Sequence, residues 1–332
     1  MRFLVFVLFA ISSWACSNEL ELNAPAKEIP IVYGLLSPSD DVHYIRVERA
    51  FIDEQTSALE LAQRPESLYF DDVSVTLTNQ TSDQTFNLEE VDGRQFGLER
   101  TDGIFATAPN ILYRITNDEI QLQAGTSYEL TIRQPNSETP LATASTTILG
   151  DLRLNRPLAV DQKSPLRILP SNDLTIVWGA DETAKIFDVT MLINYEEFNP
   201  NDASLLVEKT IAWPMERSRI AVDGPNRIEP EGSEFYAFLR ASIEENPNVQ
   251  RIIRSVDFQI DAGGEELLNY INVGSANTGI TSAQLVPTYT NLSSGLGIFA
   301  SRNSILVKGF PLDNQTKEEL RTNELTKDLN FR

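Results

Sequence analysis

Two residues decide most of the chemistry open to this 332-residue chain: its single histidine, His43, and its single cysteine, Cys16. A nucleophilic triad needs a histidine or an equivalent base. His43 opens an alternating segment, so its expected place is a strand edge near the surface. No Gly-x-Ser-x-Gly elbow occurs, and no spacing marks a serine–lysine dyad. Zinc sites draw on several Cys and His ligands, so none is expected. Calcium needs only oxygens, but Asn199-Pro200-Asn201-Asp202 and Asp181-Glu182 lack the spacing of a calcium loop and read as solvated turns. Gly295-Leu296-Gly297 and Gly263-Gly264 lack the lysine and the strand–loop–helix setting of a phosphate cradle. Glycoside hydrolysis needs only two carboxylates, and a chain with 48 acids always offers pairs, so that chemistry stays open without a signal for it. Tyr195, Phe198, Tyr236, Tyr270 and Tyr289 are candidates for stacking on sugars, although aromatic side chains at strand positions belong first to the core. No cofactor and no metal is expected.

Cys16 has a more specific setting. Met1-Arg2 is followed by the apolar run Phe3 to Ile11 and then by Ser12-Ser13-Trp14-Ala15-Cys16. A cationic start, a short apolar stretch and a small residue before the cleavage point make a secretory signal peptide over residues 1–15. The run is too short to cross a bilayer, which takes about 20 residues. Cys16 after Ala15 resembles the lipobox of bacterial lipoproteins, with Ser13 where that motif usually has Leu. The resemblance implies a fatty-acylated (palmitate-bearing) Cys16 as the first mature residue, and the several acyl chains of that modification give stable anchoring. Residues 16–28 then read as a lipidated polar tether. Loss of Arg2 with the signal peptide takes the net charge from −21 to −22. That acidity argues against nucleic acid as a partner and against basic contact with anionic lipid.

The elements that must carry any site show a period of two. His43 to Phe51 alternates, with Ile45, Val47 and Phe51 on one face and Arg46 and Glu48 on the other, as a half-buried antiparallel strand does. Ile29 to Leu35, Val73 to Leu77, Phe86 to Val91, Tyr128 to Ile132 and Ala142 to Leu149 complete a first strand series. Asp92-Gly93 and Asp102-Gly103 are turn dipeptides. One helical turn is expected around Ser57 to Gln63. Gly125-Thr126-Ser127-Tyr128-Glu129-Leu130 resembles the turn and strand found late in immunoglobulin-like and fibronectin-type domains. Short strands with regular turns predict a β-sandwich over residues 29–150. The Pro-rich stretch from Gly150 to Asn172 marks a boundary. A second, mainly β domain with one or two short helices is expected over residues 151–312. Its strands are Leu174 to Trp178, Ile186 to Ile193, Leu205 to Trp213, Ser218 to Val222, Glu234 to Ile243, Arg251 to Ile260 and Ser304 to Phe310, with a helix over Gly264 to Ile271. Residues 313–332 read as a polar tail.

Ile31-Val32-Tyr33-Gly34-Leu35-Leu36, His43-Tyr44-Ile45-Arg46-Val47 and the late Tyr289 to Phe299 segment together resemble an uncharacterised family of surface lipoproteins from Bacteroidetes. Members of that family tend to carry an asparagine, then glycine-x-glycine, then an aromatic near their end, and often sit beside TonB-dependent transporters. The resemblance implies an outer-membrane lipoprotein, facing the cell surface or the periplasm, with a transporter or another envelope protein as partner. The expected function is therefore non-enzymatic: a binding or accessory component of the cell envelope. The alternatives are a glycan hydrolase using paired carboxylates and a purely structural envelope protein. If a ligand binds, the Gly-rich region from Gly274 to Ser304 is its expected place, because long loops on a rigid scaffold often carry function. Tyr289, Asn291, Gly295, Gly297 and Phe299 are its candidate contacts.

Overall fold

A computed structural model describes residues 29–50, 56–158, 164–276 and 288–332, with backbone alone at 203–205. The expected signal peptide and tether, Cys16, Phe51 and residues 277–287 of the expected ligand region lie outside the described residues. The protein is mainly β, with short helices.

The first strand series folds as alternation requires. Strands β1 (Ile29–Leu36), β2 (Val42–Ala50), β3 (Ser74–Asn79), β4 (Thr85–Asn87), β5 (Glu89–Asp92), β6 (Ile111–Thr116), β7 (Ser127–Arg133) and β8 (Ala142–Thr147) form two facing sheets. One has the order β1-β2-β6-β5 and the other β4-β3-β7-β8. This is the strand order of an immunoglobulin-like sandwich. Val32, Ile45, Val47 and Ile115 from the first sheet meet Val75, Leu77, Leu130 and Ile132 from the second in one core. Val91 does not continue the β3–β4 hairpin, as the sequence suggests. The chain changes sheets at the buried Leu88, and β5 pairs with β6. Strand β6 itself has no alternating signal. It is flanked by helix α3 (Asn117–Ile120), which Thr116 and Glu119 close in a capping box.

Two earlier helices, α1 (Ala58–Ala62), capped by Ser57, and α2 (Pro65–Leu68), lie in the insertion after β2. With the 93–110 loop they cover part of the outer face of the sheet, where Leu68, Tyr69 and Ala106 make a small satellite core.

The second unit contains β9 (Arg153–Arg156), β10 (Ile176–Gly179), β11 (Ile186–Asn199), β12 (Asp202–Ile220), β13 (Asn226–Ile228), β14 (Gln250–Gly263) and β15 (Leu296–Phe310). It also contains helices α4 (Gly232–Ser242), α5 (Glu265–Ala276) and α6 (Asn314–Thr322). Helix α4 replaces the strand expected over Glu234 to Ile243. Phe235, Tyr236 and Leu239 are its buried residues, at spacings of one and four, which a helix places on one side and a strand does not. The strands expected at Leu205–Trp213 and Ser218–Val222 are one continuous β12. The tail is not a polar appendage: Leu320, Leu329 and Phe331 enter the second core, and Asp313 caps α6 by accepting from the Thr316 N–H.

The two units share a sheet. Its order is β12-β11-β14-β15-β1-β2-β6-β5. Strand β15 runs parallel to β1 from Leu296 to Ser301, then antiparallel to β14 from Arg302 to Phe310. The strand expected at 304–310 therefore begins eight residues earlier, and its first half completes the N-terminal sandwich.

Candidate functional site

The late asparagine–glycine segment is taken up by the fold. Asn291 Nδ2 donates to the Phe299 carbonyl at 2.7 Å and to the Ser145 carbonyl at 3.2 Å, and its Oδ1 accepts the Phe299 N–H at 3.0 Å. Ser293 exchanges two bonds with Thr143, shielding the open edge of β8. Gly295 and Gly297 have φ of +106° and +103°, and a Cβ on them would lie 2.2 Å from the Pro30 carbonyl oxygen and 1.9 Å from that of Val32. Both glycines therefore let β15 approach β1. Phe299 is fully buried in the sandwich core. Four of the five expected ligand contacts are thus structural, and the correction has a plain cause. A glycine-x-glycine that opens a strand against a neighbouring backbone reads, in sequence, like a loop. Tyr289 alone is left half-buried beside this segment.

His43 also departs from expectation. It lies on the inward face of β2 with Ile45 and Val47 and is 1 % exposed. Neither ring nitrogen has a hydrogen-bond partner within the described residues. Burial lowers its pKa below the ordinary imidazole value, aided by the Arg302 charge and opposed by Asn117 and Asp40. A histidine held this way is not a surface base.

An open cavity of about 640 Å³ lies where the two units meet. Four stretches distant in sequence line it: Pro38-Ser39 after β1, Asp151 to Arg153 before and within β9, Gly179 to Asp181 after β10, and Asn303 to Ile305 in β15. A second depression shares Leu152, Arg153 and Ile305 and continues the cleft along Leu154 and Val307. The walls beneath are tied by polar contacts. Ser301 accepts the Leu149 N–H at its hydroxyl and the Gly264 N–H at its carbonyl. Asn303 Nδ2 donates to the Gly150 carbonyl at 2.8 Å, and Arg302 pairs with Asp40. Thr146 donates to Glu266 at 3.1 Å, and burial raises the pKa of that carboxyl.

The two carboxylates that face the cleft, Asp151 and Asp181, are both exposed. Asp181 accepts the Thr183 N–H at 3.0 Å, an Asx turn. Asn199 does the same for Asn201 at the β11–β12 tip. Among the described residues, no three His, Cys, Asp or Glu side chains come together to hold a metal. Sequence spacing gave no hint of the cleft, because its four segments are brought together only by β15. Of the aromatics considered for sugar stacking, Tyr195 and Tyr236 are core residues, Phe198 lies under Arg332, and Tyr270 is exposed on α5.

No protein-family profile and no curated protein sequence matches the chain. Among solved structures, the C-terminal globular domain of an oligosaccharyltransferase from Pyrococcus abyssi is similar over 69 % of this chain and 45 % of that one. The identity is 12 % and the TM-score 0.25. The chain spans under half the length of that relative, and a likeness this distant bears on no activity.

A second surface feature lies on the outer face of β1 and β2. Tyr33 stands opposite Arg46 in the β1–β2 register and adjoins Tyr270 of α5. Partial burial, then the nearby Tyr270 hydroxyl, raises the Tyr33 pKa. Glu48 binds both Arg46 and Arg100. Arg100 lies over the Phe105 ring at 5.3 Å, Arg114 over Phe96 at 5.0 Å, and Phe96 lies 6.2 Å from Tyr44. These contacts set aromatic and arginine side chains together on the outer face of β1, β2 and β6 and on the 93–110 loop, with Tyr270 of α5 beside Tyr33.

Proposed function

We propose that the chain is a non-enzymatic lipoprotein of an outer membrane, anchored through Cys16, whose β body binds a ligand or partner at the junction cleft as an accessory of the cell envelope, with a TonB-dependent transporter as the candidate partner. One observation carries the preference for binding over turnover: the exposure of both cleft carboxylates. A glycosidase acid must stay protonated near neutral pH, and burial is what achieves that. Asp151 and Asp181 are exposed, and Glu266, a carboxyl whose pKa burial raises, lies outside the cleft lining and accepts a hydrogen bond from Thr146. No helix among the described residues is long and apolar enough to cross a membrane, so attachment in this reading rests on the acyl group.

A pull-down of the acylated protein from envelopes tests the role. Recovery of a transporter β-barrel supports it, and loss of that recovery in Arg153→Glu places the contact at the cleft; clean recovery of the protein alone counts against it. Cys16→Ala should release the protein from the membrane fraction. Turnover of a glycan substrate that Asp181→Asn abolishes would favour the hydrolase reading instead. A purely structural envelope role is the second reading, and the aromatic face is the observation that favours it.

A further inference from the structure

We infer that the aromatic face formed by β1, β2, the 93–110 loop and α5 lies against the lipid headgroups of the bilayer that holds the chain. This inference rests on the reading of Cys16 as the membrane attachment.

The face gathers four exposed aromatic side chains. Tyr33 is 45 % exposed, Phe96 45 %, Phe105 39 % and Tyr270 37 %, with Leu35 and Leu296 exposed beside them. Tyrosines and arginines on one surface suit a membrane interface, where an apolar ring body sits among acyl chains and a polar tip stays wet. Tether length selects the lipid as occupant. Thirteen residue steps separate Cys16 from Ile29, the first residue of β1. Thirteen residue steps of any polypeptide span at most about 45 Å. A body of this size is about 50 Å across. The strand that carries Tyr33 and Leu35 follows the tether directly, so it lies within that reach of the attachment, and the far edge, β12, lies four strands away from it. The net charge of −22 after processing makes an anionic surface repulsive, so the fitting surface is zwitterionic.

Because Cys16 is the only cysteine, the test does not depend on native acylation. The chain from Cys16 onward is coupled to a maleimide-headgroup lipid in vesicles of phosphatidylcholine and phosphatidylethanolamine. Hydroxyl-radical labelling is then read residue by residue against the same chain capped at Cys16 in solution. Expected is at least a threefold fall in labelling at Tyr33, Phe96 and Tyr270, with Leu206 and Ile220 on β12 unchanged. Equal labelling on vesicles and in solution overturns the inference. So does protection that arises only when envelope proteins are added, which assigns the face to a protein. Mass spectrometry of the natively processed chain reads the acylation separately, so failure of the anchor and failure of the face are distinguishable.

Discussion

Replacing Gly297 with alanine puts a methyl group 1.9 Å from the Val32 carbonyl oxygen, at a φ of +103°. Two costs follow. A non-glycine residue at such a φ is strained by about 1–3 kcal/mol. The contact is also about 1.5 Å inside ordinary van der Waals distance, and the obstructing atom is backbone, so β15 must part from β1. Losing two or three ladder hydrogen bonds there costs about 1 kcal/mol each. The sum is about 3–6 kcal/mol, against a total stability of about 5–15 kcal/mol for a typical domain. Gly125→Ala is the matched control. Gly125 also has a positive φ, +74°, but nothing lies within 4 Å of its added Cβ, so only the backbone strain of about 1 kcal/mol applies. Urea denaturation followed by circular dichroism compares the two midpoints, and thermal melts should separate by roughly 5–15 °C at about 2–4 °C per kcal/mol. If both variants shift equally, the close approach of β15 to β1 is wrong, and with it the shared sheet.

Three further outcomes follow from buried polar groups. Burial favours neutral His43, so its contribution to stability is complete above the ordinary imidazole pKa of about 6.5 and is lost as pH falls from there through the lowered folded value. The lone imidazole signal in the NMR spectrum should titrate below the ordinary value, and titration at or above it contradicts the buried placement. For Glu266 the sign is opposite: burial raises its pKa, so the protonated form is stabilising and that stability fades as pH rises through the raised value. Glu266→Gln should therefore melt higher than the parent at pH 7, with the gap closing near pH 4, and a lower melt at pH 7 would refute this. Arg251 is nearly buried and joins Glu197, the Leu329 carbonyl and the Glu244 carbonyl, so Arg251→Ala should cost about 3–5 kcal/mol and expose the 323–332 segment to proteolysis; an unchanged denaturation midpoint would show the tie to be idle.

Periodicity carried the first unit well. Ile45, Val47, Leu130 and Ile132 alternate because one sheet face is core and the other is not, and this alone points to a sandwich. The helical turn around Ser57 to Gln63 and the helix from Gly264 were equally readable as local signals. What failed were elements whose form depends on distant partners. Helix α4 contains aromatic residues that favour strands, and it is helical because Tyr236 reaches the Ile168 carbonyl while Phe235 and Leu239 pack into the second core. Strand β6 lacks alternation because both of its faces meet other groups: Tyr113 and Ile115 the sandwich core, and the buried Leu112, on the opposite face, the start of the 93–110 loop at Gly93. Gly295 and Gly297, at the start of β15, serve the backbone of Pro30 and Val32, 265 residues away in sequence (297 − 32), a reason no local window contains. The cleft was illegible for the same cause, since Ser39, Arg153, Asp181 and Asn303 have no spacing in common.

The pairing of β1 with β15 also sets the order in which the molecule can be finished. As the polypeptide emerges, its first strand waits beside an empty ladder until residues 296–301 arrive, nearly the whole length later. Closure over so long a loop is slow, and a vacant strand edge invites pairing between nascent copies. A gene fragment ending near residue 150 would carry that vacancy permanently. The N-terminal sandwich is thus a unit in its strand order but a dependent one in its assembly, completed by its own C-terminal sequence.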